Sequence, residues 1–306
     1  MNQKDKEDAI KAGKISAEVK KYARTIIKKG VLLVEIANKI EDKIIELGGE
    51  IAFPCNLSMD HIAAHYTPTY NDTTLASGLL KIDIGVHING WTADTAFSLD
   101  LEGTEENKKL VETAEEAVKT GMRTIINGVK LRNIGKEIQN TIEKNKLNPI
   151  INLTGHSIEQ YDLHAGIIIP NVDDGQEEKL KPGLYAIEPF ATSGSGRVYD
   201  GSESGIYQLI NEKNVRSPIA REVLEYIIEK YSTLPFCSRW LVKQFGTKAL
   251  FGLKQLQTNG NIHSYAQLVE TSKNKVAQFE NTVLVEKDKI TITSLEQSDF
   301  SKPFEN

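Results

Sequence analysis

The strongest constraint on this chain is that it repeats itself. Gly30, Val31, Leu33, Ile36, Ile40 and Ile44 recur at a constant offset of 98 as Gly128, Val129, Leu131, Ile134, Ile138 and Ile142. Apolar residues at this spacing line one face of an amphipathic helix, and any two such helices share the pattern. The later matches carry more weight because they keep the same order. His65 (AAHYTP) corresponds to His164 (DLHAG) at an offset of 99. Gly78-Leu79 with Ile82-Asp83 corresponds to Gly183-Leu184 with Ile187-Glu188 at an offset of 105. Asp94 (TADTAF) corresponds in turn to Glu280 (QFENTV). Each half therefore reads helix, helix, histidine, carboxylate strand, carboxylate strand. A length of 306 residues suits one large domain or two of average size, and the repeat favours one domain made of two similar halves. In the first half the two carboxylates, Asp83 and Asp94, are close neighbours in the sequence. In the second half Glu188 and Glu280 are far apart. The difference measures an insertion into the second pair of strands, lodged after about residue 205.

Local patterns fill in this frame. Residues 16–46 read as one or two helices, with Ser16 as cap and Gly48-Gly49 as stop. Residues 51–57 look extended, and 58–65 fit a short helix. Two strand-like runs, 79–87 and 91–99, meet at Asn89-Gly90, the strongest short hairpin signal. Helices are expected near 105–121 and 131–146, short strands near 150–154 and 164–169, and a strand over 184–190. A Gly/Ser-rich turn spans 193–205, and a helical stretch runs from 216 to about 258. Strands near 277–286 and 289–295 close the pattern.

The hairpin gives the acids a geometry. In an antiparallel pair, residues share a face when their cross-strand offset is even. A two-residue loop at Asn89-Gly90 pairs residue 83 with 96 and leaves Asp94 one same-face step from Asp83. A four-residue loop sets the two opposite each other, and a three-residue loop would put them on opposite faces. Two adjacent carboxylates in apolar strands repel, and each is costly to desolvate; a cation removes both costs. The plain alternative is a lone ion-paired aspartate on a hairpin. Glu188 (LYAIEPF) and Glu280 (VAQFENTVLV) sit in equally apolar strands, and four such acids related by a pseudo-twofold meet between the halves. His156, with His164 eight residues on, is the candidate imidazole. Oxygen-rich sites with one imidazole suit Mn, Fe, Co or Zn. Four carboxylates exceed what one ion balances, so two metals about 3.5–4 Å apart are expected.

Composition and motifs remove competing classes. The chain is 40% hydrophobic and 26% charged, and its 37 basic and 42 acidic side chains leave a net charge of −5. That is neither a disordered composition nor one with surplus positive charge for phosphates, so DNA is not an expected partner. Residues 1–30 hold nine basic and four acidic side chains, which reads as a solvated helix face or, more sharply, as weak steering toward an anionic partner. Cys55 and Cys237 lie far apart in the sequence without metal-site spacing, which fits a reducing cytosol. Neither a secretory signal nor a membrane span is expected. HExxH is missing, Ser157 and Ser195 lack a GxSxG setting, and GSG at 194–196 lacks a phosphate-loop context. His61, His87 and His263 read as surface residues.

The segments AFPCNLSMDHIAAHYTP, KIDIGVHINGWTADTAF, LTGHSIEQYDLHAG, AIEPFATSGSG and AQFENTVLV resemble, in order and spacing, the motif series of the type II methionine aminopeptidases. The resemblance runs over about residues 15–295 and is closer to the archaeal form, which lacks a long charged N-terminal extension. It implies the α+β pita-bread fold: two pseudo-symmetric halves with antiparallel sheet and outer helices. Residues 1–306 would form a single catalytic domain, with a helical insertion subdomain at 206–264. By the same resemblance Asp83 chelates one metal, Asp94 and Glu280 bridge two, and His156 and Glu188 complete the second. His65 and His164 would contact the substrate amide and the developing tetrahedral centre, and Glu188 would also act as general base and acid. Phe53 and Tyr265 would help line the side-chain pocket. Asn281 is a departure, since the family often has His directly after the bridging Glu.

The implied reaction is metal-dependent removal of N-terminal methionine from peptides and nascent proteins, with a small penultimate residue preferred. The implied cofactors are two divalent ions, Co, Mn, Fe or Zn. A cytoplasmic monomer without membrane contact is expected, and association of the basic N-terminal segment with the ribosome is left open. Two rivals stand beside this reading. One is a catalytically inactive homologue acting as a protein- or RNA-binding module, which should have lost ligands. The other is a proline-specific peptidase of the same fold, which usually carries a longer N-terminal domain.

Overall fold

The computed structural model describes residues 1–295; residues 296–306 of the expected 1–306 domain lie outside the described residues. The chain opens with α1 (Gln3–Ile26), which starts well before the expected cap at Ser16. Asn2 caps it, with the Asn2 side chain accepting from Asp5 N–H and the Asp5 carboxylate accepting from Asn2 N–H. Ser16 lies buried mid-helix and donates to Gly13 O instead. The early turns are hard to read from sequence because their inward face is built from small residues, Ala9 and Ala12. α2 (Leu33–Glu46) follows, then β1 (Glu50–Met59) and β2 (Ile62–Ala64). The short helix expected over 58–65 does not form: β1 runs on to Met59, and Asp60 takes a positive φ of 47° to turn the chain into β2.

β3 (Leu79–Ile88) and β4 (Trp91–Asp100) make the hairpin at Asn89-Gly90 with a two-residue loop, pairing Ile88 with Trp91. Asn89 and Gly90 both have positive φ, at 50° and 82°, as such a turn requires. His87 is buried here, not on the surface; its Nδ1 accepts Gly90 N–H at 3.1 Å and so closes the turn. α3 (Glu105–Thr124) and α4 (Leu131–Lys144) come next, then β5 (Asn148–Pro149), β6 (Gly155–Ile158) and β7 (Ile168–Ile169). β8 (Gly183–Ile187) and β9 (Phe190–Thr192) lead into β10 (Val198–Leu209). Between β10 and the next long strand come α5 (Pro218–Tyr231), β11 (Phe236–Cys237), α6 (Ser238–Phe245) and α7 (Lys248–Asn259). β12 (Ile262–Glu270), β13 (Val276–Gln278), β14 (Asn281–Val285) and β15 (Ile290–Ile292) complete the described chain.

The sheets run in the orders β1-β3-β4, β11-β10-β12-β2, β13-β9-β5 and β15-β14-β8-β6-β7. Both faces of β3 and β4 are covered, with nearly every residue buried. Their apolar residues join those of α1 to α4 in one core that includes Ile36, Ile40, Ile82, Phe97, Ile134 and Ile138. A second apolar cluster, containing Val223, Ile227, Phe236, Leu241 and Leu253, is built by α5 to α7 and β11.

The repeat is visible in the backbone itself. Gly30 N–H donates to Ala76 O at 2.8 Å, and Gly128 N–H donates to Leu180 O at 2.9 Å. Leu33 N–H meets Thr74 O and Leu131 N–H meets Glu178 O, both at 2.9 Å. Gly30 and Gly128 share the same φ of 85°, a left-handed value that favours glycine. Each half thus enters its second helix through the same bridge. No helix among the described residues is long and apolar enough to cross a membrane.

Candidate metal centre

One strand from each half meets its counterpart along a polar seam. Asp94 N–H donates to Thr282 Oγ1, whose hydroxyl donates to Asp94 O, both at 2.7 Å. Thr95 Oγ1 donates to Glu280 O at 2.9 Å, and Ala96 and Glu280 exchange backbone bonds of 2.9 and 3.3 Å. Ser98 Oγ donates to Gln278 O and accepts Gln278 N–H, both at 2.9 Å. At about 1 kcal/mol each, these bonds contribute several kcal/mol to setting β4 against β13 and β14. The seam carries Asp94 and Glu280 to the same place although they stand in opposite halves of the sequence. The hairpin register pairs Asp83 with Ala96 and Gly85 with Asp94, so Asp83 and Asp94 share a face one step apart. β6 brings in His156 opposite Ala186, and Glu188 follows on that same face two residues on.

All five side chains line one cavity. One ligand atom from each of Asp94, His156 and Glu280 lies within 4.8 Å of the others. His156 Nδ1 faces Ser157 O at 3.4 Å. A carbonyl only accepts, so the ring proton belongs on Nδ1 and the lone pair on Nε2. Nε2 lies 3.6 Å from Asp94 Oδ2 and 3.8 Å from Glu188 Oε1. Burial, with His164 beside it, lowers the His156 pKa to about 3, so this imidazole is neutral at physiological pH. This lone pair thus faces the carboxyl oxygens of two acids at distances too long for a hydrogen bond. Asp83 Oδ1 and Asp94 Oδ1 are buried without any hydrogen-bond partner.

The acids bear the same strain. Burial, then repulsion from Asp94, pushes the Asp83 and Glu280 carboxyls well above the usual range. Glu188 is raised by burial and by Asp94 and Asp83, and burial raises Asp94 to about 7. Orphaned oxygens, a free imidazole lone pair and four mutually repelling acids are a donor set that fits hard-to-borderline divalent cations.

The cavity, of about 240 Å³, also holds the remaining expected residues. His65 Nδ1 lies 3.3 Å from Ala266 O, and burial lowers its pKa to about 4. His164 is exposed, with its ring centroid 4.3 Å from that of His156. Phe53 and Tyr265 both line the cavity, and the Tyr265 ring meets His65 edge-on at 5.6 Å, its hydroxyl donating to Gln208 Oε1 at 2.6 Å. Phe53 needs Gly85: a Cβ there would lie 2.3 Å from its ring. Ile206, Pro235, Leu163 and Asn56 also line the cavity, and sequence reasoning missed them. Ile206 lies on β10 and Pro235 just before β11, where no motif marked them; Asn56 was signalled only by its place beside the first motif's Phe-Pro.

The family model for metallopeptidase family M24 matches residues 7–287. The methionine aminopeptidase of Pyrococcus abyssi is 45% identical over 295 residues, covering 95% of this chain and 99% of that one. The chain belongs to the methionine aminopeptidases of metallopeptidase family M24. The Thermococcus onnurineus methionine aminopeptidase is similar at 46% identity over the same share of both chains, 95% and 99%. Among solved structures, the methionine aminopeptidase of Rickettsia prowazekii matches with a TM-score of 0.69 at 22% identity, covering 96% of this chain and 98% of its own. A thermophilic Arx1 matches with a TM-score of 0.83 at 15% identity, covering 99% and 94%. At those identities the two structures speak for the pita-bread fold alone.

Asn281, directly after Glu280, turns its side chain toward Lys20 and Ser294. Its Oδ1 accepts from Lys20 Nζ at 3.1 Å and from Ser294 Oγ at 3.0 Å. Ser294 Oγ in turn accepts Thr282 N–H at 2.9 Å, which ties this network to the polar seam.

Proposed function

We propose that this chain removes N-terminal methionine from peptides and nascent proteins, with two divalent ions held by Asp83, Asp94, His156, Glu188 and Glu280. The observation that carries the reading is one cavity where four acids converge on a neutral His156: Nε2 faces Asp94 Oδ2 and Glu188 Oε1, while Asp83 Oδ1 and Asp94 Oδ1 are buried without a hydrogen-bond partner. The 45% identity to a relative named methionine aminopeptidase supports the substrate. Domain limits follow the same reading: one catalytic unit with 206–264 as its helical insertion. The buried free thiols of Cys55 and Cys237 support a cytoplasmic setting, and we take the enzyme to be a monomer.

When bound, the ions supply Lewis-acid polarisation of the scissile carbonyl and make water acidic enough to ionise near neutrality. The protein residues do the rest. Glu188, which would be ionised beside bound cations and which its surroundings make more basic than an ordinary carboxylate, takes the water's proton and hands it to the leaving amine. His65 is neutral with Nδ1–H engaged by Ala266 O, so its Nε2 accepts the N–H of the substrate amide. His164, at the exposed edge of the site, directs an N–H to the developing oxyanion. A substrate α-amine in its neutral form would have a lone pair to offer the bound ions, which would confine cleavage to the first residue of a chain. Phe53, Leu163, Ile206, Pro235 and Tyr265 offer apolar walls to its side chain. An apolar pocket distinguishes one methylene by about 1–3 kcal/mol, so slow release of other apolar first residues is expected.

The test is release of methionine from Met-Ala-Ser by metal-stripped protein before and after addition of Mn, Co or Fe. Restoration by metal supports the reading. Cleavage confined to Xaa-Pro bonds would favour the proline-specific rival, and metal binding without any peptide cleavage would favour the inactive homologue.

A further inference from the structure

Away from the acidic centre, a buried ion pair joins α2 to α6. Arg239 Nη1 and Nη2 lie 2.7 Å from Glu41 Oε2 and Oε1, a two-point contact, and each side chain is only 6% exposed. Burying such a pair costs desolvation that two apolar residues would not, so its presence asks for a role besides stability. The other bonds of the pair supply one, because they lead toward the cavity.

Glu41 Oε1 accepts Cys55 N–H at 3.1 Å. The β1–β3 register slips between Phe53 and Asn56, over the stretch that contains this N–H, and Pro54 has none of its own. Phe53 and Asn56, on either side of the slip, both line the cavity. Arg239 Nε–H donates at 3.1 Å to the carbonyl oxygen of Pro68, three residues after His65. Trp240 Nε1–H donates to Glu41 Oε2 at 2.8 Å. Arg239 itself follows β11, whose Phe236 and Cys237 pair with Tyr207 and Ile206, and Ile206 and Pro235 form part of the cavity wall. One ion pair thus ties together the slipped part of β1, the loop after His65 and the insertion's side of the pocket.

We infer that the Glu41–Arg239 pair is a positioning device that fixes the apolar wall of the first-residue pocket and so sets which first residue the enzyme accepts. This rests on the methionine-releasing reading above. The pair touches no substrate; it acts through Phe53, Ile206 and Pro235. Loosening it lets the insertion's wall move relative to Phe53, which weakens the grip on methionine more than it slows the chemistry at the acids.

The experiment uses the full chain loaded with Mn. Glu41→Leu/Arg239→Met removes both charges together and avoids stranding one in the core, while Arg239→Lys keeps the charge and loses the two-point contact. In either folded variant, KM for Met-Ala-Ser should rise about tenfold with kcat changed by about threefold or less, and the preference for methionine over leucine should fall about tenfold, as expected for a displaced apolar wall. Amide hydrogen exchange over residues 233–241 should quicken by about tenfold or more. Folded variants with KM and first-residue preference within about twofold of the unaltered protein overturn the proposal whatever the exchange shows. Unchanged exchange overturns it as well. If the unaltered protein releases no methionine, the catalytic reading has failed, and exchange alone decides whether the pair anchors the wall.

Discussion

Glu270 and the acids of the metal centre are buried by the same fold under opposite conditions. Glu270 is fully buried at the end of β12, and donors converge on it. Ser195 N and Oγ each lie 2.7 Å from Oε1, and Ser272 Oγ and Asn274 N lie 2.7 and 3.0 Å from Oε2. Burial pushes its pKa up, yet these hydrogen bonds outweigh it and hold the carboxyl below the usual range. Gly194 lets the chain wrap this closely, since a Cβ there would lie 2.5 Å from the Glu270 carboxyl. Asp83 and Asp94 instead keep oxygens with no partner, and their carboxyls are raised. A buried acid ringed by donors is complete as it stands and holds a loop in place. A buried acid facing other acids and an imidazole lone pair is incomplete until a cation arrives.

That contrast can be broken at either end. Glu280→Ala should abolish tight metal binding and lower kcat/KM for Met-Ala-Ser by about 10³-fold, which titration with Mn and steady-state kinetics would measure. His164→Ala should keep the metal and lose about 10²-fold in kcat, so equal metal content with retained turnover contradicts its role. Thr282→Val removes the hydroxyl that meets Asp94 on both its N–H and its C=O, and should weaken metal affinity about tenfold. Glu270→Gln should leave metal binding and kcat unchanged while lowering unfolding stability by about 1–3 kcal/mol at neutral pH, read by urea denaturation.

The pH dependence of the two kinds of acid has opposite sign. The Asp94 pKa stands at about 7 in the folded protein, against about 3.9 unfolded, so metal-free folded protein holds the extra proton between those values. Its contribution to stability is fully present below about pH 4 and is lost as pH rises through 7. The Glu270 pKa is lowered, so its contribution is present above about pH 4.3 and is lost as pH falls through the folded value. In chelator, the stability of the unaltered protein relative to Asp94→Asn should therefore fall between pH 5 and pH 7.5, and relative to Glu270→Gln should hold steady there and drop in acid. A difference from Asp94→Asn that grows with pH would contradict the account of the cluster.

Much of the centre was legible because strand geometry leaves few choices. Asn89-Gly90 marked the hairpin, a two-residue or a four-residue loop there kept Asp83 and Asp94 on one face, and the two-residue loop that forms sets them one step apart. The repeat pointed to Glu188, Glu280 and His164 from their first-half counterparts. What stayed hidden depends on contacts across the chain. The Gly/Ser run after residue 192 read as a plain turn because its partner, Glu270, lies far beyond Ser195 in the sequence. His87 looked like a surface residue because nothing local marks a histidine that closes its own turn. Ile206 and Pro235 gave no signal, since an apolar residue facing a cavity reads like one facing a core. The start of α1 was missed because small residues make a buried stripe that hydropathy scarcely registers.

If the four clustered acids and His156 exist to hold metal for an aminopeptidase, metal content and turnover must rise and fall together. The most direct measurement pairs metal analysis with the Met-Ala-Ser assay on the same protein, before and after exhaustive chelation. The account predicts two divalent ions bound per chain, no methionine release after chelation, and recovery on adding Mn, Co or Fe. Undiminished release of methionine by protein shown to carry no metal would contradict it.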